Sequence, residues 1–335
     1  IPRSVMVDYL KILLAFHVAL YHLRLLKLLP ALLKKHGVEP ICDRLRCPMD
    51  PSNRESPHGD CPHRIGLLLD VANLPGSRIS SLAEHSADFQ YRRIPAFIRA
   101  YFVTKKLDEF GSMLLLQAKL PGGTDRKLSV YEVLSLLDRS HDAERDIFFG
   151  MRLAGLLEHA QDEDDELDPR LREIGEMGLG KLDTYIESIV ALRGKYQRDY
   201  VVESLDSLLL KNKPGALLAQ TRKRAAPRRF VLDSRLLEVL LQIAVMRIGG
   251  NGSQHYQTQE IKVEDLLLFL RERYGLFIDQ LPVGEGFTEP SIEDLEALRK
   301  NKEAFKNKLR EIGFFQDLSD AYVSQHVTPR YKISA

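Results

Sequence analysis

Apolar residues along the first part of the chain return with a helical beat. In "VMVDYLKILLAFHVALYHLRLLKLL", Leu10, Leu13, Leu14, His17, Leu20 and Leu28 recur near a 3.6-residue period, predicting one helix over residues 4–35. Asp8, Lys11, His17, His22 and Arg24 interrupt that run. A bilayer span needs about 20 nearly uncharged residues, so the expectation is an amphipathic helix of a soluble, cytoplasmic protein with no membrane contact. The short run "IGLLLDV" fits either a strand or a buried helical turn. Helical patterning resumes at "IPAFIRAYFVTKKLDEFGSMLLL", where Pro95 suits a first turn. It continues through "YEVLSLLDRS", "AERDIFFGMRLAGLLEHA" and "LDTYIESIVALRGKYQRDYVVESLDSLLL". "SVYE", residues 129–132, is a capping box: Ser129 accepts from a backbone N–H that Glu132 helps to frame.

"KNKPGALLAQTRKRAAPRRF" breaks the pattern with Pro, Gly and a basic cluster. It suggests a helical domain over 1–220, a basic linker over 221–232 and a second domain over 233–335. In that last part, "DSRLLEVLLQIAVMRIGG" reads as a helix with Gly249 just past its end, and "QEIKV" as a short strand. "EDLLLFLRERYG" is a helix stopped at Gly275, and "SIEDLEALRKNKEAFKNKLREIG" one opened by Ser291 and closed by Gly313. "FFQDLSDAYVSQHVTPRYKI" has two extended segments around turn residues, predicting a β-hairpin. The predicted fold is mainly α, with an N-terminal helical domain and a C-terminal winged-helix-like domain carrying a β-hairpin.

The 335-residue chain has a formal charge of +1, which excludes a wholly basic nucleic-acid coat; nucleic-acid contact would need a local patch. Trp is absent and Leu abundant, favouring helix packing. The chain opens at Ile1 without a methionine, so its natural start is expected upstream. All three cysteines lie in a Pro-rich loop at 41–64, which suits a reducing compartment better than disulfide pairing. Cys42-x4-Cys47 and Cys61-x-His63 make two ligand pairs, with His58 an alternative fourth ligand. Zinc accepts such a Cys3His set. The expected cofactor is a structural zinc that pins the loop, because a catalytic deaminase-type site would need an H-x-E partnered with C-x-x-C. Isolated thiols are the plainer reading.

Within the last predicted helix, Leu295, Leu298, Phe305, Leu309 and Ile312 share an apolar face. Arg299, Lys302, Lys306 and Arg310 form a cationic stripe beside it, spanning about 16 Å and suited to a row of phosphates. Glu296 and Glu303 dilute the stripe, so a solvated face and a protein-docking face remain open. Arg222, Lys223, Arg224, Arg228 and Arg229 would add a flexible basic arm. "FQYRRIPAFIRAYFVTKK", residues 89–106, interleaves aromatic and basic residues; a helix with an aromatic core face explains it better than single-strand binding. "GEMGLGKL", residues 175–182, mimics a phosphate-binding loop, but Leu182 supplies no hydroxyl for magnesium and no buried strand precedes it. The acidic run at 161–168 lacks calcium-loop spacing. No catalytic motif is complete, and a non-enzymatic protein is expected.

The order helix, strand, helix, helix, hairpin resembles the winged-helix superfamily. Two phrases, "KNKPGALLAQTRKRAAPRRFVLDSRLLEVLLQIAV" and "KLREIGFFQDLSDAYVSQHVTPRYKI", are also similar to helical subunits of bacterial anti-phage operons. That resemblance implies a cytosolic accessory protein working with a helicase, nuclease or ATPase subunit. Together these readings predict an accessory subunit that contacts double-stranded DNA. The alternative is a scaffold whose winged helix docks a protein partner.

Overall fold

The computed structural model describes residues 2–38, 63–160, 168–221, 226–248, 256–315, 326–329 and 331. The described residues are mainly helical, 64% helix against 7% strand, as the patterning predicts. The chain divides into two compact units, one of residues 1–24, 42–91 and 204–335, the other of 25–41 and 92–203. This division differs from a partition at 221–232. The Pro/Gly-rich segment holds Leu217, Leu218, Phe230 and Val231, all buried, and these apolar residues draw it into the first unit instead of leaving it as a linker.

The first unit is built around one strand. β1 (Leu67–Leu68) and the two residues after it are enclosed: Leu67, Leu68, Leu69 and Asp70 all have 0% exposure. The "IGLLLDV" run is therefore a strand, and its unbroken apolar character suits a strand covered on both faces. On one edge β1 pairs in parallel with β7 (Leu276–Phe277), the Leu67 and Leu69 amides donating to Gly275 and Phe277 at 2.8 and 2.9 Å. On the other edge the Asp70 amide donates to Phe230 at 3.0 Å. Phe230 belongs to the antiparallel hairpin of β2 (Leu218–Gln220) and β3 (Arg228–Phe230). Gly275 has φ +74°, and a Cβ there would collide with the Ile65 carbonyl, so the turn into β7 admits only glycine.

Helices pack on this strand. The N-terminal part of α1 (Arg3–Lys34) buries Ile12, Phe16, Ala19, Leu20 and Leu23. By length and hydropathy α1 would also suffice to cross a membrane, and 33% of its most apolar window is buried. α2 (Arg78–Tyr91) lays Ile79 and Leu82 against Leu68, Ala297 and Leu298. In the second unit, α3 (Ile94–Leu116), α4 (Val130–Ser135), α5 (Asp142–His159) and α7 (Lys181–Leu208) surround Phe110, Phe148, Phe149 and Tyr185. The Phe148 and Phe149 rings meet edge to face, 5.0 Å between centroids. The Ser129–Glu132 capping box opens α4 as the sequence indicates. α6 (Pro169–Glu176), a helix, precedes the glycine-rich "GLGK" turn, so no strand feeds a phosphate loop there.

α8 (Ser234–Ala244) starts on Asp233, whose carboxylate accepts the Arg235 amide. It is shorter than the apolar pattern suggests: β4 (Met246–Ile248) follows and pairs antiparallel with β5 (Tyr256–Thr258). β6 (Ile261–Lys262) leads into α9 (Val263–Phe269), which runs on as one π-helical turn, Leu270–Tyr274. α10 (Ile292–Glu311) opens on a capping box of Ser291 and Asp294. β6 then pairs antiparallel with β8 (His326–Val327), and Val327 also bridges Phe315 in antiparallel sense.

Three polar side chains of α10, seven residues apart, face inward or sideways onto this core. Asp294 caps the helix and binds Arg78 at 2.7 Å. Asn301, 1% exposed, donates to the Leu69 and Ile278 carbonyls, each at 2.8 Å, and accepts from the Val71 amide at 2.9 Å. Lys308 donates to the Val71 and Leu232 carbonyls at 3.0 and 2.6 Å. Burial lowers the Lys308 pKa, opposed by Asp233, Glu311 and Asp70.

Asn301→Leu would orphan three buried backbone groups, each worth about 1–3 kcal/mol. It should cost about 3 kcal/mol or more, read from denaturant unfolding. Gly275→Ala should also lower the unfolding midpoint, by at least about 1 kcal/mol in stability.

Candidate docking groove along the last helix

The cationic stripe predicted on α10 is present, but its charges are engaged. Lys302 lies 2.9 Å from Glu264 and 3.8 Å from Asp279. Lys306 lies 3.0 Å from Glu303. Arg310 donates to Asn307 at 2.6 Å and stacks 5.0 Å from the Phe315 ring centre. Arg299 is exposed and stands by Glu296. Such surface pairs are weak, about 0–1 kcal/mol, so a phosphate could displace them. It would then meet Glu264, Glu296 and Glu303 on the same surface, where like charge opposes it. The apolar face also differs from the pattern in one place: Leu295 is 54% exposed and sits outside the core.

The basic arm fares differently at its described end. Arg228 is clamped to Asp206 by two hydrogen bonds, Nε to Oδ1 at 2.8 Å and Nη2 to Oδ2 at 2.9 Å, and stacks 4.9 Å over Tyr91. Tyr91 donates to the same carboxylate at 2.8 Å, and Lys211 donates from the other side. Burial and Asp206 push the Tyr91 hydroxyl pKa up. Burial of Asp206 works against ionisation, but its bonds from Arg228, Lys211 and Tyr91 outweigh that and hold its carboxyl below the ordinary value. Arg229 is buried in β3. It donates to Ser80 at 3.0 Å and to Asn73, and its Nε comes within 3.4 Å of Asp70. Burial nonetheless raises the Asp70 carboxyl above its ordinary value. Neither arginine is available to trace a phosphate backbone, because β-pairing fixes both to the core. Arg222, Lys223 and Arg224 lie outside the described residues.

So do Cys42, Cys47, Cys61 and His58 of the expected zinc loop; His63 is described and half-buried. Among the described residues no three His, Cys, Asp or Glu side chains converge as a metal site. The mixed aromatic and basic stretch at 89–106 serves packing. Phe102 joins the second unit's core, and Arg99 bridges Glu187 and Asp183 of α7 at 2.5 and 2.8 Å.

What the sequence does not announce is a groove beside α10, about 650 Å³ in volume. Ala72, Leu74, Ile79, Ala297 and Ala304 give it an apolar floor. Its charged lining is balanced: Arg78, Arg299 and Lys300 against Glu293, Glu296 and Glu303, three of each sign. Lys300 and Glu296 pair at 2.8 Å, one helical turn apart, and Lys300 holds the Glu296 carboxyl below its ordinary value. Ile292, 85% exposed, projects at the start of the same helix. The available signal was Ala297 and Ala304, small residues one heptad apart next to the Leu298–Phe305 line. An apolar trough with a charge-neutral rim suits a protein segment; a polyanion would find no net attraction along it.

The Asp206 cluster gives a pH test. Its folded pKa lies below the unfolded carboxylate value of about 4. The stabilisation is therefore complete above that value and fades as pH falls through the folded one. Asp206→Asn should flatten the acid limb of the stability–pH profile, measured by denaturant midpoints.

No curated protein matches the chain. The family described as "Methylation-associated defense system protein MAD7" matches residues 1–331, nearly the whole chain, and the chain belongs to that family.

Proposed function

We propose that this defence-system component is a non-enzymatic accessory subunit whose C-terminal module docks a partner subunit through the α10 groove. The observation that carries the reading is the groove itself: an apolar floor under a rim of three cations and three carboxylates. Membership of a defence-system family supports the presence of other subunits to dock. We infer further that the module is winged-helix-like. The reading is supported by the succession of α8, β6, α9, α10, Phe315 and β8, although the β4–β5 pair is interposed after α8 and β7 before α10. The antiparallel pairs β6–β8 and Phe315–Val327 support it too, since they place the returning strand between the other two. In a DNA-reading winged helix the last helix offers free cations to phosphates. Here Lys302 and Lys306 are already held by Glu264 and Glu303, which favours a protein occupant over DNA.

The test compares two sets of variants in the full chain, co-expressed with the other subunits of its system. Leu74→Glu and Ala304→Arg should each reduce the co-purified subunit about tenfold, the roughly 1.4 kcal/mol that a lost apolar anchor removes. Duplex DNA titrations at rising salt should show no binding that depends on Arg299, Lys302, Lys306 and Arg310. Salt-sensitive binding abolished by changing those four to glutamate would replace this reading with the DNA-contact one.

A further inference from the structure

α1 is apolar on both sides, and among the described residues only one side is covered. Ile12, Phe16, Ala19, Leu20 and Leu23 face the core, while Met6, Val7, Leu10, Leu14 and Tyr21 are 42–66% exposed on the opposite face. The exposed residues follow a heptad: Val7, Leu14 and Tyr21 alternate by threes and fours with Leu10, His17 and Arg24. A straight seam of that spacing is what one helix offers another.

Charge at the C-terminal end of the seam says what kind of helix. Arg24 is half-buried, and its Nε is enclosed without a hydrogen-bond partner among the described residues. No carboxylate among the described residues forms an ion pair with it; burial alone lowers its pKa. His17 feels both Arg24 and Arg273, and its ring meets that of Tyr274 edge to face at 5.8 Å. Tyr274, 2% exposed, sits on the π-helical turn that also carries Arg271 and Arg273, and the Arg273 guanidinium lies 5.7 Å from its ring centre. The Arg271 Nε, like that of Arg24, is enclosed without a hydrogen-bond partner among the described residues. Enclosed cations without an acid are costly, and π-turns collect at functional sites. Asp8, the acid of the exposed helix half, already lies 4.0 Å from Lys11 and 3.9 Å from Arg235.

We propose that the Val7–Arg24 seam of α1 binds an amphipathic helix of another subunit, whose carboxylates meet His17 and Arg24. The inference rests on the accessory-subunit reading but uses a different surface from the α10 groove. A second copy of this chain does not fit. Parallel self-pairing sets Arg24 against Arg24 and His17 against His17, and an antiparallel pair centred on Leu14 sets Arg24 against Arg3. A lipid surface fits poorly, because helices that lie on bilayers carry a polar face opposite the apolar one, whereas here that face is protein core.

The experiment uses the full tagged chain co-expressed with its system's other subunits, and a zero-length amine–carboxylate cross-linker. Lys11, with a 74% exposed side chain beside the seam, should couple to Asp or Glu in a helix of one subunit. Leu14→Lys, Tyr21→Lys and Arg24→Glu should each reduce that subunit's recovery at least tenfold, while Arg24→Lys retains most of it. Leu14 and Tyr21 are 66% and 59% exposed, so unchanged circular dichroism melting is expected and identifies a true interface effect. Recovery lost with Leu14→Lys but kept with Leu74→Glu leaves the α1 seam standing and removes the groove; the reverse removes the seam. The inference is overturned by undiminished recovery, or by a concentration-dependent dimer in sedimentation that Leu14→Lys abolishes. Flotation with phosphatidylglycerol vesicles that Leu14→Lys abolishes overturns it equally.

Discussion

A strand enclosed on every side must have each of its polar groups answered from within the protein, and the Leu67–Asp70 segment is such a strand. Its amides and carbonyls are met by β7, by β3 and by two side chains: Ser86 of α2, which accepts from the Leu68 amide, and Asn301, which arrives from more than 200 residues later. Asn301 uses both amide hydrogens and its oxygen on three backbone groups. Because an unmet buried hydrogen bond costs more than a made one contributes, this contact sets the register of α10 against β1. The orientation of every other α10 residue follows from it: which cations face Glu264 and Glu303, and which alanines floor the groove.

Asp70 and Arg229 illustrate the opposite balance. Their approach is buried, with no aligned hydrogen bond between the two charged groups, and burial raises the carboxyl in spite of the neighbouring guanidinium. Such a pair adds little net stability but makes any other pairing of β1 and β3 expensive, since a slipped register would leave one charge alone. Ser80 and Asn73 each accept one hydrogen bond from a terminal guanidinium nitrogen. Specificity of pairing is the physical content of this site.

Local features were legible in the sequence, and long-range ones were not. The Ser129–Glu132 box, the helical middle, the β6 strand and the antiparallel return at Phe315 and Val327 follow from periodicity and capping chemistry over a few residues. Arg228 and Arg229 were not legible: beside Arg222 and Lys223 they spell a basic linker, and only Asp206 and Asp70, distant in sequence, turn them inward. The four cations of the stripe lie along α10, yet Lys302's partner lies on α9, where no spacing rule on α10 could point. Val245 closes α8 as its C-cap, and the apolar pattern that runs on past it forms the strand Met246–Ile248 instead of a further helical turn. Leu295 counted as core by periodicity alone, which cannot tell a helix's covered flank from its open one.

The origin of the partners of the Leu67–Asp70 strand bears on how the molecule can be cut. A piece excised at residue 233 would keep Asn301 and Lys308 but lose the carbonyls of Leu69, Val71 and Leu232 to which they donate. It would present Leu298 and a bare edge of β7 to water, the kind of raw border along which chains stick together. The C-terminal hundred residues are thus a topological segment without being an autonomous one. Evolution could shuffle them into another protein only along with the hydrophobic ribbon they clasp.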